Sequence, residues 1–222
     1  MSASLDFLGQ LEDEERRALD AIATHRAASP GQHVMAAGQI ADHVLVVQAG
    51  HLKIVAPGPE GEDVVLAFRG PGSLIGEQAF VDGTPRSAGV VAVERVEMLI
   101  VAASAFRHFL AEHPRVAMVL VGMLSLRLRD SDRQLVRFAT SDTLGRTSAR
   151  LVELCDHYGD SAPDGSVRIA LPLTQEDLAG WTGSSLESTA KALRAMRRLN
   201  WISTARRCIT VHDVEALRHR AG

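Results

Sequence analysis

Residues 173–202 read LTQEDLAGWTGSSLESTAKALRAMRRLNWI, and the C-terminal half of the chain turns on this stretch. It predicts two short helices around a tight turn. Thr174 can cap the first helix, with Glu176 and Asp177 in its positively polarised first turn. Ala179 is small where two helices must approach closely, and Gly183 stands where the chain must turn. Ser184 followed by Glu187 spells S-x-x-E, a capping box predicted to start the second helix. That helix sets Thr189, Ala192, Leu193 and Met196 on one side, at spacings suited to burial. Its other side offers Ser185, Glu187, Ser188, Lys191 and Arg194. The layout suits a helix-turn-helix whose second helix enters a DNA major groove. It also suits a plain helical hairpin with a solvated charged face.

The segment after the second helix favours the first reading. Trp201-Ile202-Ser203-Thr204 and Cys208-Ile209-Thr210-Val211 are β-prone and flank Ala205-Arg206-Arg207. That pattern predicts a hairpin with two arginines at its tip, suited to a DNA phosphate. A helix-turn-helix with such a basic hairpin behind it is a winged helix-turn-helix. The net charge of −3 does not suggest nucleic acid, but its distribution does. Residues 184–200 set Lys191, Arg194, Arg197 and Arg198 against Glu187 alone.

With 222 residues there is room for one large or two small domains. Hydrophobic content of 46% with 23% charged residues predicts an ordered globular protein. Aromatics are only 4%, so aliphatic side chains must fill the core. No apolar run is long enough to span a membrane, and the polar, acidic start MSASLDFLGQLEDEE does not read as a signal peptide. A cytoplasmic protein with no membrane partner is expected. Cys155 and Cys208 are predicted to be buried small hydrophobes, and the nine histidines show no metal-ligating spacing. With no nucleophile elbow, P-loop or metal triad, the chain is not expected to be an enzyme.

Leu5 to Ala27 carries a helical pattern. From Pro30 to about Ala103 the texture becomes short β-branched runs: Val44–Val47, Leu52–Val55, Val64–Phe68, Val90–Val93 and Met98–Val101, punctuated by glycines. That spacing predicts a barrel, sandwich or jelly roll. Ser104 is expected to cap a helix from Ala105 to Glu112, and Pro114 to open a long one reaching about Ala139. Leu120, Leu124, Leu128, Leu135 and Phe138 form its apolar stripe, with Ser131 in the same seam. Steps of four and three from 124 onward give a coiled-coil rhythm. The seam either packs along its own domain or pairs with a second copy, and a dimer suits the reading of two DNA half-sites. Thr140-Ser141-Asp142 breaks the helix and caps the next, Leu144 to His157, before a polar loop to Gly165.

Within the β region lies Gly72-Ser-Leu-Ile-Gly-Glu-Gln-Ala-Phe-Val-Asp-Gly-Thr-Pro-Arg-Ser-Ala-Gly89. Gly76 lets a ligand approach the backbone, and Glu77 can accept from sugar hydroxyls. Gln78 and Ala79 can begin a short helix with free N–H groups. Arg86 and Ser87 can form charge-assisted bonds to a phosphate. A surface turn with a Glu–Arg ion pair is the plainer reading.

This cassette resembles the phosphate-binding cassette of the cyclic-AMP receptor protein/FNR (CRP/FNR) superfamily of transcription regulators. The stretch ADHVLVVQAGHLKIV resembles that family's early β-roll hairpin, and the long helix and winged head come in the family's order. The resemblance implies an α+β chain in three parts: an effector domain over 1–114, a dimerisation helix over 115–140 and a winged helix-turn-helix over 141–222. The effector domain would be a jelly-roll β-roll of the cyclic-nucleotide-binding type. It further implies that Glu77 holds a ribose 2′-hydroxyl, that Arg86 and Ser87 bind a cyclic phosphate, and that Gly76 and Gln78 lend backbone groups. No cofactor is required; the implied effector is a cyclic nucleotide, cyclic AMP before cyclic GMP. The implied partners are double-stranded DNA and a second copy, with RNA polymerase a further candidate. Asp142 would lie at the hinge. Thr143, Thr174, Gln175, Ser185, Leu186, Glu187, Ser188, Lys191, Arg206 and Arg207 form the set expected to face DNA.

Two departures stand out. Where cyclic-AMP responders carry Thr-Ser on the long helix, this chain has Ser131-Asp132. Asp132 either accepts from a base amino group or is a solvated helix acid. Where the family's recognition helix commonly opens S-R-E, this one opens Ser185-Leu186-Glu187. Leu186 cannot donate to guanine and suits a thymine methyl or nothing, whereas Glu187 can accept from cytosine. A different effector, no effector, or a head that docks protein instead of DNA remain open alternatives.

Overall fold

The computed structural model describes residues 6–58, 63–205 and 208–222. The chain forms two compact units, one made by most residues up to Asp132 and the other by those from Arg133 on together with the segment ending at Leu66. The first is a jelly roll. Its two antiparallel sheets run β1-β8-β3-β6 and β2-β7-β4-β5. The strands are β1 (Thr24–Ala28), β2 (His33–Met35), β3 (His43–Ala49), β4 (Leu52–Pro57), β5 (Asp63–Arg69), β6 (Leu74–Ile75), β7 (Gly89–Ala92) and β8 (Val96–Ala102). β3 is buried from Val44 to Val47, so its side chains serve both faces of its sheet. Val44 and Val46 join the cluster beneath the helices, and Leu45 and Val47 the cluster between the sheets.

The helical cap on this roll comprises α1 (Asp13–Ala21), the short α2 (Glu77–Asp82) and α3 (Ala103–Glu112). It also takes in the first half of α4 (Pro114–Thr140). Phe106 is fully buried and gathers Phe7, Phe80 and Phe109 around it at centroid distances of 5.1–6.5 Å. The few aromatics are therefore concentrated where α2 meets the helices. Val116, Val119, Leu120 and Met123 bury one side of α4 in the same cluster.

The second unit holds α5 (Thr143–Tyr158), α6 (Gln175–Thr182), α7 (Leu186–Arg198) and α8 (Val214–Ala221). A four-stranded antiparallel sheet completes it, built from β9 (Gly159–Ser161), β10 (Val167–Ile169), β11 (Ile202–Ala205) and β12 (Cys208–Val211). Thr189, Ala192, Leu193 and Met196 are the buried side of α7, as the spacing requires. Among the described residues no single helix is long and apolar enough to cross a membrane.

Several expectations are corrected. The helical pattern over Leu5–Ala27 yields α1 only as far as Ala21. Thr24–Ala28 instead pairs with β8, because sheet pairing outweighs the weak helical preference of the segment. α3 starts at Ala103, so Ser104 lies inside its first turn. The stretch after His157 contains strand β9, held by β10. Cys155 and Cys208 are half-buried, and burial pushes the Cys155 thiol up to about 11. The capping box at Ser184 does not form. Ser185 is the N-cap and accepts from the Ser188 N–H. The reason lies just before it: Gly183 turns left-handed at φ +55°, and the Ser184 N–H closes onto the Ala179 carbonyl at 3.0 Å. Helix α7 can therefore begin only after Ser184.

The apolar stripe of α4 divides. Leu120 is in the jelly-roll core and Leu124 packs against it, while Leu128 and Leu135 are 65% and 71% exposed. Phe138 goes elsewhere, to the turn of the second unit. A Cβ at Gly183 would stand 2.5 Å from the Phe138 ring. Gly183→Ala is therefore expected to destabilise the second unit by more than the roughly 1–2 kcal/mol of left-handed backbone alone. Urea unfolding monitored by Trp181 and Trp201 fluorescence reads this directly, and in a Phe138→Ala background the excess should vanish. An equal cost in both backgrounds would show that the ring does not set it.

Candidate functional site

In the first unit, β6 delivers the chain to Gly76, which caps α2 in the left-handed region at φ 88°. Glycine suits this position: the left-handed φ strains any other residue, and a Cβ would press on Nη1 of Arg86 at 2.5 Å. Arg86 comes from the far end of the cassette and is only 4% exposed. Its backbone is clamped by two bonds, its N–H to the Gln39 carbonyl and its carbonyl from the Gly38 N–H, each 2.8 Å. Its Nη2 donates to the His43 carbonyl at 2.5 Å and lies 3.8 Å from the Asp42 carboxylate. Nε and Nη1 are buried and find no partner among the described residues. Burial pulls this guanidinium's pKa down, with the Asp42 and Glu77 charges opposing, and it stays a cation at any working pH. His43 donates to Asp42 and, with Arg86, holds the Asp42 carboxyl below its ordinary range.

Glu77, in the first turn of α2, is 2% exposed. A carboxylate so deep needs a cation, and the partner is Arg127 of α4, whose Nη1 pairs with Oε1. The same guanidinium donates from Nη2 to the Leu74 carbonyl at 2.7 Å. Reading the sequence alone does not single out Arg127. A signal exists: one arginine lies a turn before Ser131, on the side of the helix that faces the roll. Gln78 and Ser87 are exposed. Ser131 and Asp132 are exposed on α4, where the Ser131 hydroxyl donates to the Arg127 carbonyl at 3.0 Å. The structure thus brings Gly76, Glu77 and Arg86 together, adds Arg127, and sets Ser131 and Asp132 on the same helix as Arg127.

The chemistry of this cluster is specific. Unpartnered N–H groups on a buried guanidinium, beside backbone with no side chain, favour an anion with several acceptor oxygens. Glu77 keeps lone pairs beyond those Arg127 uses and can accept from hydroxyls. A sugar phosphate satisfies both, so the residues fit a cyclic nucleotide.

The second site is the head. The Thr174 hydroxyl and Asp177 cap α6 reciprocally, so both side chains are engaged in structure. Arg146 of α5 holds the turn. Its Nε donates to the Thr182 carbonyl at 2.8 Å, Nη1 to the Ser141 carbonyl at 2.7 Å and Nη2 to the Ser184 hydroxyl at 3.0 Å. Ser184 in turn reaches the Thr143 hydroxyl at 3.3 Å. The Ser185 hydroxyl donates to that of Ser188 at 2.9 Å. Leu186, Glu187, Lys191 and Arg194 are exposed on α7, and Gln175 is exposed at the start of α6. Arg197 donates to Thr204 on β11 and so ties α7 to the hairpin. Strands β11 and β12 pair from Ile202↔Val211 to Ala205↔Cys208; Arg206 and Arg207 lie outside the described residues. Asp142 caps α5 through the Gly145 N–H, and both its oxygens accept from Arg220 at 2.6 Å. These partners hold its carboxyl below the ordinary range.

Comparison with known proteins matches each unit separately. Residues 25–113 fit the cyclic nucleotide-binding domain family and residues 145–220 the Crp-like helix-turn-helix domain family. A CRP-like cAMP-activated global transcriptional regulator of Mycobacterium tuberculosis is 29% identical over 86% of this chain and 85% of its own. A global nitrogen regulator of Synechocystis is 30% identical over 81% and 80%. Among solved structures, FixK2 from Bradyrhizobium japonicum superposes with a TM-score of 0.80 over 90% of this chain and 98% of its own, at 18% identity.

Breaking the Glu77–Arg127 pair should be costly. Arg127→Ala is expected to destabilise the first unit by about 3–5 kcal/mol, because it strands a buried carboxylate. Adding Glu77→Gln should recover much of the loss. Far-UV circular dichroism should report the change while tryptophan fluorescence, confined to the second unit, stays near wild type.

Proposed function

The chain belongs to the CRP/FNR superfamily: it is a DNA-binding transcription regulator with a cyclic nucleotide-binding domain. On that footing we propose that it is a homodimer whose grip on double-stranded DNA is set by a cyclic nucleotide, cyclic AMP before cyclic GMP. The observation that carries this reading is Arg86, buried with unpartnered N–H groups beside the left-handed Gly76 and the Glu77–Arg127 pair. Arg86 and Ser87 would hold the phosphate, Gly76 and Gln78 would lend backbone, Glu77 would accept from the ribose, and Ser131 and Asp132 would meet the base. A regulator reading DNA works in the cytoplasm, which is where we set it.

The occupant of the exposed side of α4 is a second copy of this chain. Its apolar residues Met118, Val121, Leu128 and Leu135 recur at steps of three and seven, in phase with a coiled-coil seam. A dimer also gives two heads for two half-sites. Leu186, Glu187 and Lys191 would read bases, with Arg206 and Arg207 on phosphates. Thr143, Thr174, Gln175, Ser185 and Ser188 would border the backbone. Effector and DNA then share one coupling free energy, so each tightens the other.

Titration calorimetry with cyclic AMP and cyclic GMP tests the effector, and Arg86→Ala should remove most of the heat. Ser87→Ala should cost about 1.5–3 kcal/mol, one hydrogen bond to a charged group. No heat from either nucleotide at millimolar concentration overturns the effector and leaves the DNA reading standing. Gel shifts on random DNA pools test the head: Lys191→Ala should lose roughly 1–3 kcal/mol, concentrated at one base position.

A further inference from the structure

The exposed side of α4 carries Met118, Val121, Ser125, Leu128, Asp132 and Leu135 at alternating steps of three and four. This row differs in phase from the stripe expected from the sequence, which runs through Ser131 and Phe138. At about 100° per residue, Ser131 lies roughly 60° from Leu128 on the side of Arg127, and Asp132 lies roughly 40° to the other side. Asp132 is the one charged residue in the row. Arg129 and Arg133 flank it on the same helix but lie further round, roughly 100° and 140° from Leu128.

Resting on the homodimer and the cyclic-nucleotide reading above, we infer that Asp132 opposes closure of the dimer seam until a base with amino donors binds. DNA heads reading adjoining half-sites put the two long helices side by side in parallel, so each row position meets its own copy across the two-fold axis. Leucine meeting leucine at 128 and 135 is favourable. Aspartate meeting aspartate at 132, between those two layers, is not: like charges repel, and the apolar layers hinder their hydration. Because Asp132 lies on the side of the row away from its own Arg127, it approaches the partner's pocket. The adenine 6-amino group, or the guanine N1 and N2 hydrogens, can donate to it there. Each donation spreads the negative charge and removes part of the repulsion. The effector therefore closes the seam by cancelling a cost as well as by adding contacts, and Asp132 selects bases with donors at that edge.

Sedimentation velocity over a dilution series, on full-length protein without nucleotide, tests the repulsion directly. Asp132→Asn should tighten the dimer roughly fivefold at low salt, and the difference should shrink at high salt. Asp130→Asn, on the far side of the helix, should leave the dimer constant unchanged. Asp132→Leu should also bind DNA in gel shifts without nucleotide, so that the ratio of affinities with and without effector collapses toward one. Equal dimer constants for wild type and Asp132→Asn, or a weaker dimer in the variant, overturn the role of Asp132 and leave the dimer standing. Protein that is monomeric in every variant removes the dimer itself and this inference with it. The dimer measurement needs no effector, so the role of Asp132 is tested even in a chain that ignores both nucleotides.

Discussion

A buried carboxylate must be neutralised, and the long helix supplies the cation. Glu77 sits under the cassette at 2% exposure, and Arg127 reaches it from α4 while also bonding the Leu74 carbonyl. That pair fixes the rotation of α4 about its own axis. With Arg127 turned inward, Val119, Leu120 and Met123 are buried, and Leu128 and Leu135 are left outside. Which residues of the helix stay exposed is thus decided by an ion pair beneath the cassette. The proposed ligand site and the proposed seam are two sides of one helix.

The two candidate sites are built on opposite principles. The cassette is buried and pre-shaped: a left-handed glycine, a clamped arginine and a paired carboxylate leave little to reorganise. The exposed side of α7 is the reverse, with solvated side chains on a rigid frame. Its stiffness comes from behind, through the three bonds of Arg146 around the turn and the tie of Arg197 to Thr204. Preorganisation suits a small ligand with few contacts. Freely hydrated side chains suit a partner met largely through charge and through water.

Much of this is legible in the sequence, because periodic burial leaves a regular trace. The buried side of α7, the strands β3, β4, β5, β7 and β8, and the cassette glycine and arginine all come from residue type and spacing. What is not legible depends on contacts distant in the chain. Thr24–Ala28 becomes a strand because β8 lies beside it. Ser184 fails as a cap because Gly183 and Arg146 claim it for the turn. Arg127 reads as a surface charge until the fold puts Glu77 beside it, fifty residues away in sequence. Local patterns predict which face is buried; they do not say which buried acid needs which cation.

The phase of the exposed row on α4 restricts which changes of length this chain can absorb. Ten residues separate Leu128, on the exposed seam, from Phe138, whose ring fills the space left by Gly183. Inserting or deleting one residue in that interval would swing everything beyond it by about 100° and shift it by about 1.5 Å. Phe138 and Gly183 would swing together and keep their contact, but a change before Leu135 would carry that leucine out of the row of Leu128 even though every individual side chain remained acceptable. Substitutions in this interval can be absorbed one at a time, whereas length changes cannot. The tolerable ones are whole heptads, which restore both rotation and seam phase. In this helix the number of residues constrains the exposed row as tightly as their identity does.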